Sequence, residues 1–198
     1  MKSILPLIAI ISAQLTIAQS DLKVHFFETD SGKFGLADEN NQILIRPIYD
    51  ETWGWRCEEN AKTVMLKKNE TWFLMTVSGS LIIEFSEWNP GADEFRYGLL
   101  PVEDKKTGKW GYINEKSEIE IPLIYDNTNS FEIDLPLAAV KQGKYFGLLT
   151  TDGKWYLKPK YDYFYEINSE DSFIVQIKSK FYHIDGEGKV LEEVELGC

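Results

Sequence analysis

The residues of this chain that can do chemistry are few in kind. His25 and His183 are its two histidines, and Cys57 and Cys198 its two cysteines. Neither cysteine has a partner at metal-ligand spacing, and no histidine cluster lies near either one. A Ser-His-Asp arrangement built on His183 would need a nucleophile on a strained turn, and no nucleophile-elbow motif is present. No Walker loop, dinucleotide fingerprint or zinc motif occurs, so no cofactor or metal is expected. Carboxylates are abundant, with 32 Asp and Glu in all. Two of them about 5–9 Å apart could hydrolyse a glycoside, which keeps a carboxylate hydrolase as an alternative. Segments such as "TDSG", "TDGK" and "DGEG" lack EF-hand spacing and read as hairpin turns.

The remaining candidates are aromatic. "ETWGWRCEEN" (residues 51–60) and "SEWNPGADEFRYG" (residues 86–98) carry Trp53, Trp55, Arg56 and Trp88 in connecting segments. Loop tryptophans beside an arginine suit a protein-binding hot spot or a sugar-stacking platform. The structural alternative is that they plug the end of a sheet stack.

The elements that must position these residues form a repeat. Five segments align without a gap on a lead aromatic, Phe34, Trp72, Trp110, Phe146 and Phe181, at spacings of 38, 38, 36 and 35 residues. Four residues after it comes a short polar side chain: Asp38, Thr76, Asn114, Thr150 or Asp185. Such side chains bond nearby backbone and start turns. Three residues further stand Asn41, Gly79, Ser117, Gly153 and Gly188, a column suited to positive φ in a hairpin loop. Apolar residues resume at Ile43, Leu81, Ile119, Trp155 and Val190. The spacing predicts two short strands joined by a tight loop. "IRPIYD", "IPLIYD" and "LKPKYD" then place Tyr-Asp at the same distance from three of the lead aromatics, as in Tyr125-Asp126. Apolar stretches such as "TVML", "LLPV" and "LAAV" precede the aromatics, giving about three strands per unit.

Gly108 to Asn114 ("GKWGYIN"), with Pro122, Tyr125 and Asp126, resembles the WG-repeat (KWG-repeat) family of bacterial proteins. The resemblance runs from about Leu22 to Val194. It weakens in the second and fifth copies, where Phe73 and Tyr182 replace the glycine after the aromatic. It implies an exported β-repeat protein and no assigned activity. On this reading Trp110 and its counterparts are core wedges, and Gly111 admits a neighbouring strand or ring.

The predicted fold is all-β: five tandem units of about 35–38 residues forming a curved antiparallel meander, either an open twisted array or a propeller-like ring. The approximate units are 22–60, 61–98, 99–135, 136–172 and 173–198 of a single domain, 19–198. Residues 1–18 have a basic start at Lys2, an apolar run and small residues before Gln19, the anatomy of a secretory signal peptide. Once it is cleaved, no integral membrane segment is expected, and the protein is exported to the periplasm, the cell surface or the medium. Cys57 and Cys198 then either pair, closing a long loop worth about 4–5 kcal/mol on the chain-entropy estimate, or stand as independent thiols. A net charge of −11 gives no attraction to nucleic acid or anionic lipid. The functional expectation is a non-catalytic binding or scaffold protein with a protein partner. A carbohydrate-binding module using Trp53, Trp55 or Trp88 is the first alternative.

Overall fold

A computed structural model describes residues 23–53 and 62–195 of the chain. The expected signal peptide, together with Trp55, Arg56, Cys57 and Cys198, lies outside the described residues. Within them there are nineteen strands and no helix, in five antiparallel sheets. The first sheet is β1 (Val24–Glu28), β2 (Phe34–Asp38) and β3 (Ile43–Tyr49). The second runs β4 (Glu51–Thr52), β5 (Thr63–Lys68), β6 (Thr71–Thr76), β7 (Leu81–Phe85). The third is β8 (Trp88–Pro90), β9 (Leu99–Asp104), β10 (Trp110–Asn114), β11 (Ile119–Tyr125). The fourth is β12 (Asn127–Thr128), β13 (Leu137–Gln142), β14 (Tyr145–Thr150), β15 (Trp155–Tyr161), and the fifth is β16 (Tyr163–Ser169), β17 (Ser172–Ile177), β18 (Lys180–Ile184), β19 (Val190–Val194). Every sheet is a meander in chain order, so the units follow one another like blades.

The sheets pack face to face, and four apolar cores fill the gaps between neighbours. Val64 and Leu66 of β5 point into the core shared with the first sheet, while Met65 between them joins the core shared with the third. In β13, Ala138 and Val140 face the third sheet; Leu137 and Ala139 face the fifth. A strand buried on both faces needs apolar residues at every position, which accounts for the continuous runs "TVML", "LLPV" and "LAAV". The fifth sheet behaves differently. Phe173 and Val175 are fully buried against the fourth sheet, whereas Ile174 and Gln176, on the opposite face, are half-buried.

The hairpin chemistry follows the repeat columns. Asp38 Oδ1 accepts from the backbone N–H of Asn40 and Gln42, Asn114 Oδ1 from Lys116 and Glu118, and Asp185 Oδ1 from Glu187 and Lys189. Thr76 and Thr150 hydroxyls accept from the N–H of Ser80 and Lys154 in the same way. Asn41, Gly79, Ser117, Gly153 and Gly188 all have φ between 61° and 88°, the conformation their column required.

The glycine after the lead aromatic answers to a bulge. Phe34 pairs with Tyr49, yet Leu36, two residues on, pairs with Ile45, so the outer strand carries two extra residues. The third and fourth copies repeat this, from Trp110–Tyr125 to Tyr112–Ile121 and from Phe146–Tyr161 to Leu148–Leu157. The extra residues fold over the glycine. A Cβ on Gly111 would lie 2.5 Å from the carbonyl oxygens of Ile121 and Pro122, and one on Gly147 2.5 Å from that of Leu157. In the second and fifth copies Trp72 pairs with Phe85 and Phe181 with Val194, with no extra residues, and Phe73 and Tyr182 fit in place of glycine.

The lead aromatics are less buried than core wedges. Phe34 is buried, but Trp72, Trp110 and Phe146 are half-buried at the rims of the cores, and the half-buried Phe181 packs on none of them and meets Tyr165. Each stands at or next to the start of its strand, beside the hairpin end of the sheet. The fully buried rings are Tyr112, Tyr161, Phe85, Phe131 and Phe173. Tyr112 donates its hydroxyl to the carbonyl of Asn129 at 2.6 Å, and burial pushes its pKa well above the usual phenol range.

Replacing Gly111 by Ala forces the bulge away from β10. We expect a loss of about 1–3 kcal/mol, which for a domain of this size is a fall in Tm of roughly 2–4 °C per kcal/mol. Thermal denaturation followed by circular dichroism measures it.

Candidate functional site

The carboxylates of the Tyr-Asp element are held by structure. Asp126 Oδ1 accepts from Lys109 Nζ at 2.6 Å, and its Oδ2 accepts from the backbone N–H of Gly143 at 2.6 Å. Asp50 does the same with Lys33 Nζ and with the N–H of Asn69 at 2.8 Å. Asn69 and Gly143 have left-handed φ, 49° and 65°, and open the two-residue turns that follow β5 and β13. Each aspartate thus clips the first hairpin of the next sheet while its lysine comes from the sheet before. The lysine ammonium first, and then the backbone donor, hold both carboxyls below their ordinary value of 3.8.

His183 is half-buried on the outer face of the fifth sheet. Its Nε2 lies 3.0 Å from Ser172 Oγ, and its Nδ1 lies 3.6 Å from Glu192 Oε1. The second distance is beyond hydrogen-bond reach, so the carboxylate does not fix the imidazole as a catalytic base requires. Ser172 opens β17 and pairs with Ser169 across a two-residue turn, strand to strand, and not on a strand-to-helix elbow. The imidazole is half-buried and partnered by Ser172. Among the described residues no group of three or more His, Cys, Asp or Glu could hold a metal ion.

The tryptophans part company. Trp53 follows β4, its N–H bonded to the carbonyl of Met65 at 3.0 Å, and remains 39% exposed. Its ring meets Trp72 edge-on, centroids 5.4 Å apart, and Lys67 Nζ lies 5.7 Å from the Trp72 ring centroid. Lys67 also pairs with Glu51 and Glu70, both at 3.2 Å. Trp88 instead opens β8 and packs on the core between the second and third sheets. The structure therefore brings Trp53 together with Trp72 and Lys67, and gives Trp88 a packing role.

A second feature has no counterpart among the sequence candidates. Between the fourth and fifth sheets lies an open cleft of about 510 Å³, lined by Lys144, Tyr145, Lys160, Asp162, Gln176 and Lys178. One sequence signal marks it: Tyr145 precedes its lead aromatic where Lys33 and Lys109 precede theirs. The signal is legible only once the role of those lysines is known.

A family model described as "WG containing repeat" matches residues 34–72, 110–145 and 146–181. No curated protein matches the chain. Among solved structures, a protein of unknown function from Bacteroides caccae is similar at 10% identity and a TM-score of 0.40, covering 88% of this chain and 73% of that one. The WD40 domain of SCAP from fission yeast is similar at 14% identity and a TM-score of 0.42, over 90% of this chain; the match spans 56% of that chain's length.

The clips make stability pH-dependent with a definite sign. A carboxyl whose folded pKa is depressed contributes stability that is complete above its unfolded value and is lost as pH falls through the folded one. For Asp50 and Asp126 the window opens at 3.8 and extends downward. Asp126→Asn is expected to lower Tm at neutral pH and to flatten the decline of Tm below about pH 4, as read from melts across a pH series.

Proposed function

Because the chain belongs to the family of WG-containing repeat proteins, with matched segments over more than half its length, we propose that it is a non-catalytic binding protein that recognises another protein through the outer surface of its repeats. The carrying observation is a row of exposed aliphatic side chains in four of the five units, the fourth having the half-buried Trp155 at that column. Ile43 is 56% exposed, Leu81 55%, Ile119 54% and Val190 47%, all at one column of the repeat, on β3, β7, β11 and β19. Isolated surface aliphatics need no explanation, but the same large apolar side chain outside in unit after unit suits a partner that runs along the array. The partner meets side chains rather than the strand edge, since Pro47 and Pro122 interrupt β3 and β11, where an added strand would need N–H donors. The signal-like run of residues 1–18 supports a site of action outside the cytoplasm.

A carbohydrate reading is favoured by one observation, the half-exposed Trp53 ring braced against Trp72. On that reading envelope or dietary glycans quench tryptophan fluorescence, and Trp53→Ala removes the effect.

Affinity capture from the envelope fraction of the producing cells, with the protein as bait, separates the two. The expected result is a stoichiometric protein partner that is lost with Leu81→Lys and Ile119→Lys. Both sites are exposed, so Tm should be nearly unchanged. Retention of polysaccharide alone, or capture that ignores both substitutions, would count against recognition along the row.

A further inference from the structure

The cleft between the fourth and fifth sheets lies where the aspartate clip is incomplete. Asp162 keeps the turn bond, its Oδ2 accepting from the N–H of Lys178 at 2.7 Å. The ammonium that Lys33 and Lys109 bring to Asp50 and Asp126 is missing, because Tyr145 takes that column and lines the same cleft as Asp162. Among the described residues Asp162 forms no ion pair.

Three lysines, Lys144, Lys160 and Lys178, line this gap. Lys144 Nζ lies 5.1 Å from the centroid of the Tyr145 ring; Lys160 Nζ lies 5.1 Å from that of Tyr161 and donates to the carbonyl of Gly188 at 3.3 Å. Among the described residues none of Lys144, Lys160 and Lys178 is ion-paired, although the chain carries a net charge of −11. The turn that brings Lys178 to the cleft has left-handed φ of 50° and 67° at Lys178 and Ser179, as Asn69 and Glu70 do in the matching turn of the second sheet.

The lining states what a ligand must carry. Three ammonium groups ask for an anion, and the open oxygen of Asp162 accepts only from a donor such as a hydroxyl. The Tyr145 ring offers a face for C–H groups. Inorganic phosphate meets the first demand alone, and the Lys178 N–H that could cradle it is already given to Asp162. The volume falls in the range of small-molecule sites rather than of an extended peptide. The geometry points to an acidic saccharide, a sugar bearing carboxylate and hydroxyl groups, as the ligand of this cleft.

Isothermal titration calorimetry of the purified protein tests it, with a galacturonate trisaccharide, the neutral galactose trisaccharide, inorganic phosphate and a tri-glutamate peptide as probes. The galacturonate trimer is expected to bind with an affinity that falls as salt is raised, and the neutral trimer not to bind. Lys160→Gln and Lys178→Gln should each weaken binding about tenfold, the loss of one charge-assisted hydrogen bond. Tyr145→Lys is the decisive variant. It restores the ammonium found in the first and third copies, so Tm should hold or rise while galacturonate binding is lost. No binding of the galacturonate trimer, equal binding of phosphate or tri-glutamate, or full binding by a folded Tyr145→Lys variant would each overturn the assignment.

Discussion

The fold depends on one constraint: a meander of three or four short strands must pack an apolar face against a neighbour. Each inner sheet meets this by sending alternate side chains of one strand into two different cores, Met65 one way and Val64 and Leu66 the other. The remaining devices serve that packing. The Asp, Asn and Thr side chains close hairpins without adding bulk to the faces. The glycines let a bulged outer strand fold inward. The aspartate clips bind the end of one sheet to the first turn of the next.

Much of this was legible from the residues. The left-handed column from Asn41 to Gly188 and the turn-starting column from Asp38 to Asp185 could be read because their chemistry is local: a side chain and the backbone within four residues of it. The bulge was half legible. Gly35, Gly111 and Gly147 announce a close approach, but what approaches lies ten or more residues downstream, and the link to Pro47, Pro122 and Pro159 emerges only from the register. Burial misled for a related reason. Trp110 is the most conspicuous residue of its unit and yet sits at a rim, while the less noticeable Tyr112 and Tyr161 fill the cores, because depth is set by which sheet covers a ring and not by its size.

The surface features were harder to read. Ile43, Leu81, Ile119 and Val190 look like core positions in a sequence, since an apolar residue recurring at one column ordinarily faces inward. The cleft beside Asp162 arises from a departure, Tyr145 in a lysine column, whose meaning lies in an ion pair between residues seventeen positions apart. A repeat protein hides individuality in this way: its shared features are visible by alignment, and its particular ones appear where one copy drops a contact the others keep.

The clip also has a mechanical consequence. β4, β12 and β16 follow directly on the Tyr-Asp elements of the preceding units, so each sheet takes its first strand from the unit before it. Sequence unit and structural blade are out of phase, and adjoining blades overlap like shingles. Under tension along the chain, peeling one blade strips an edge strand and a clipped turn from the next. Load applied at one end is then carried by several blades together.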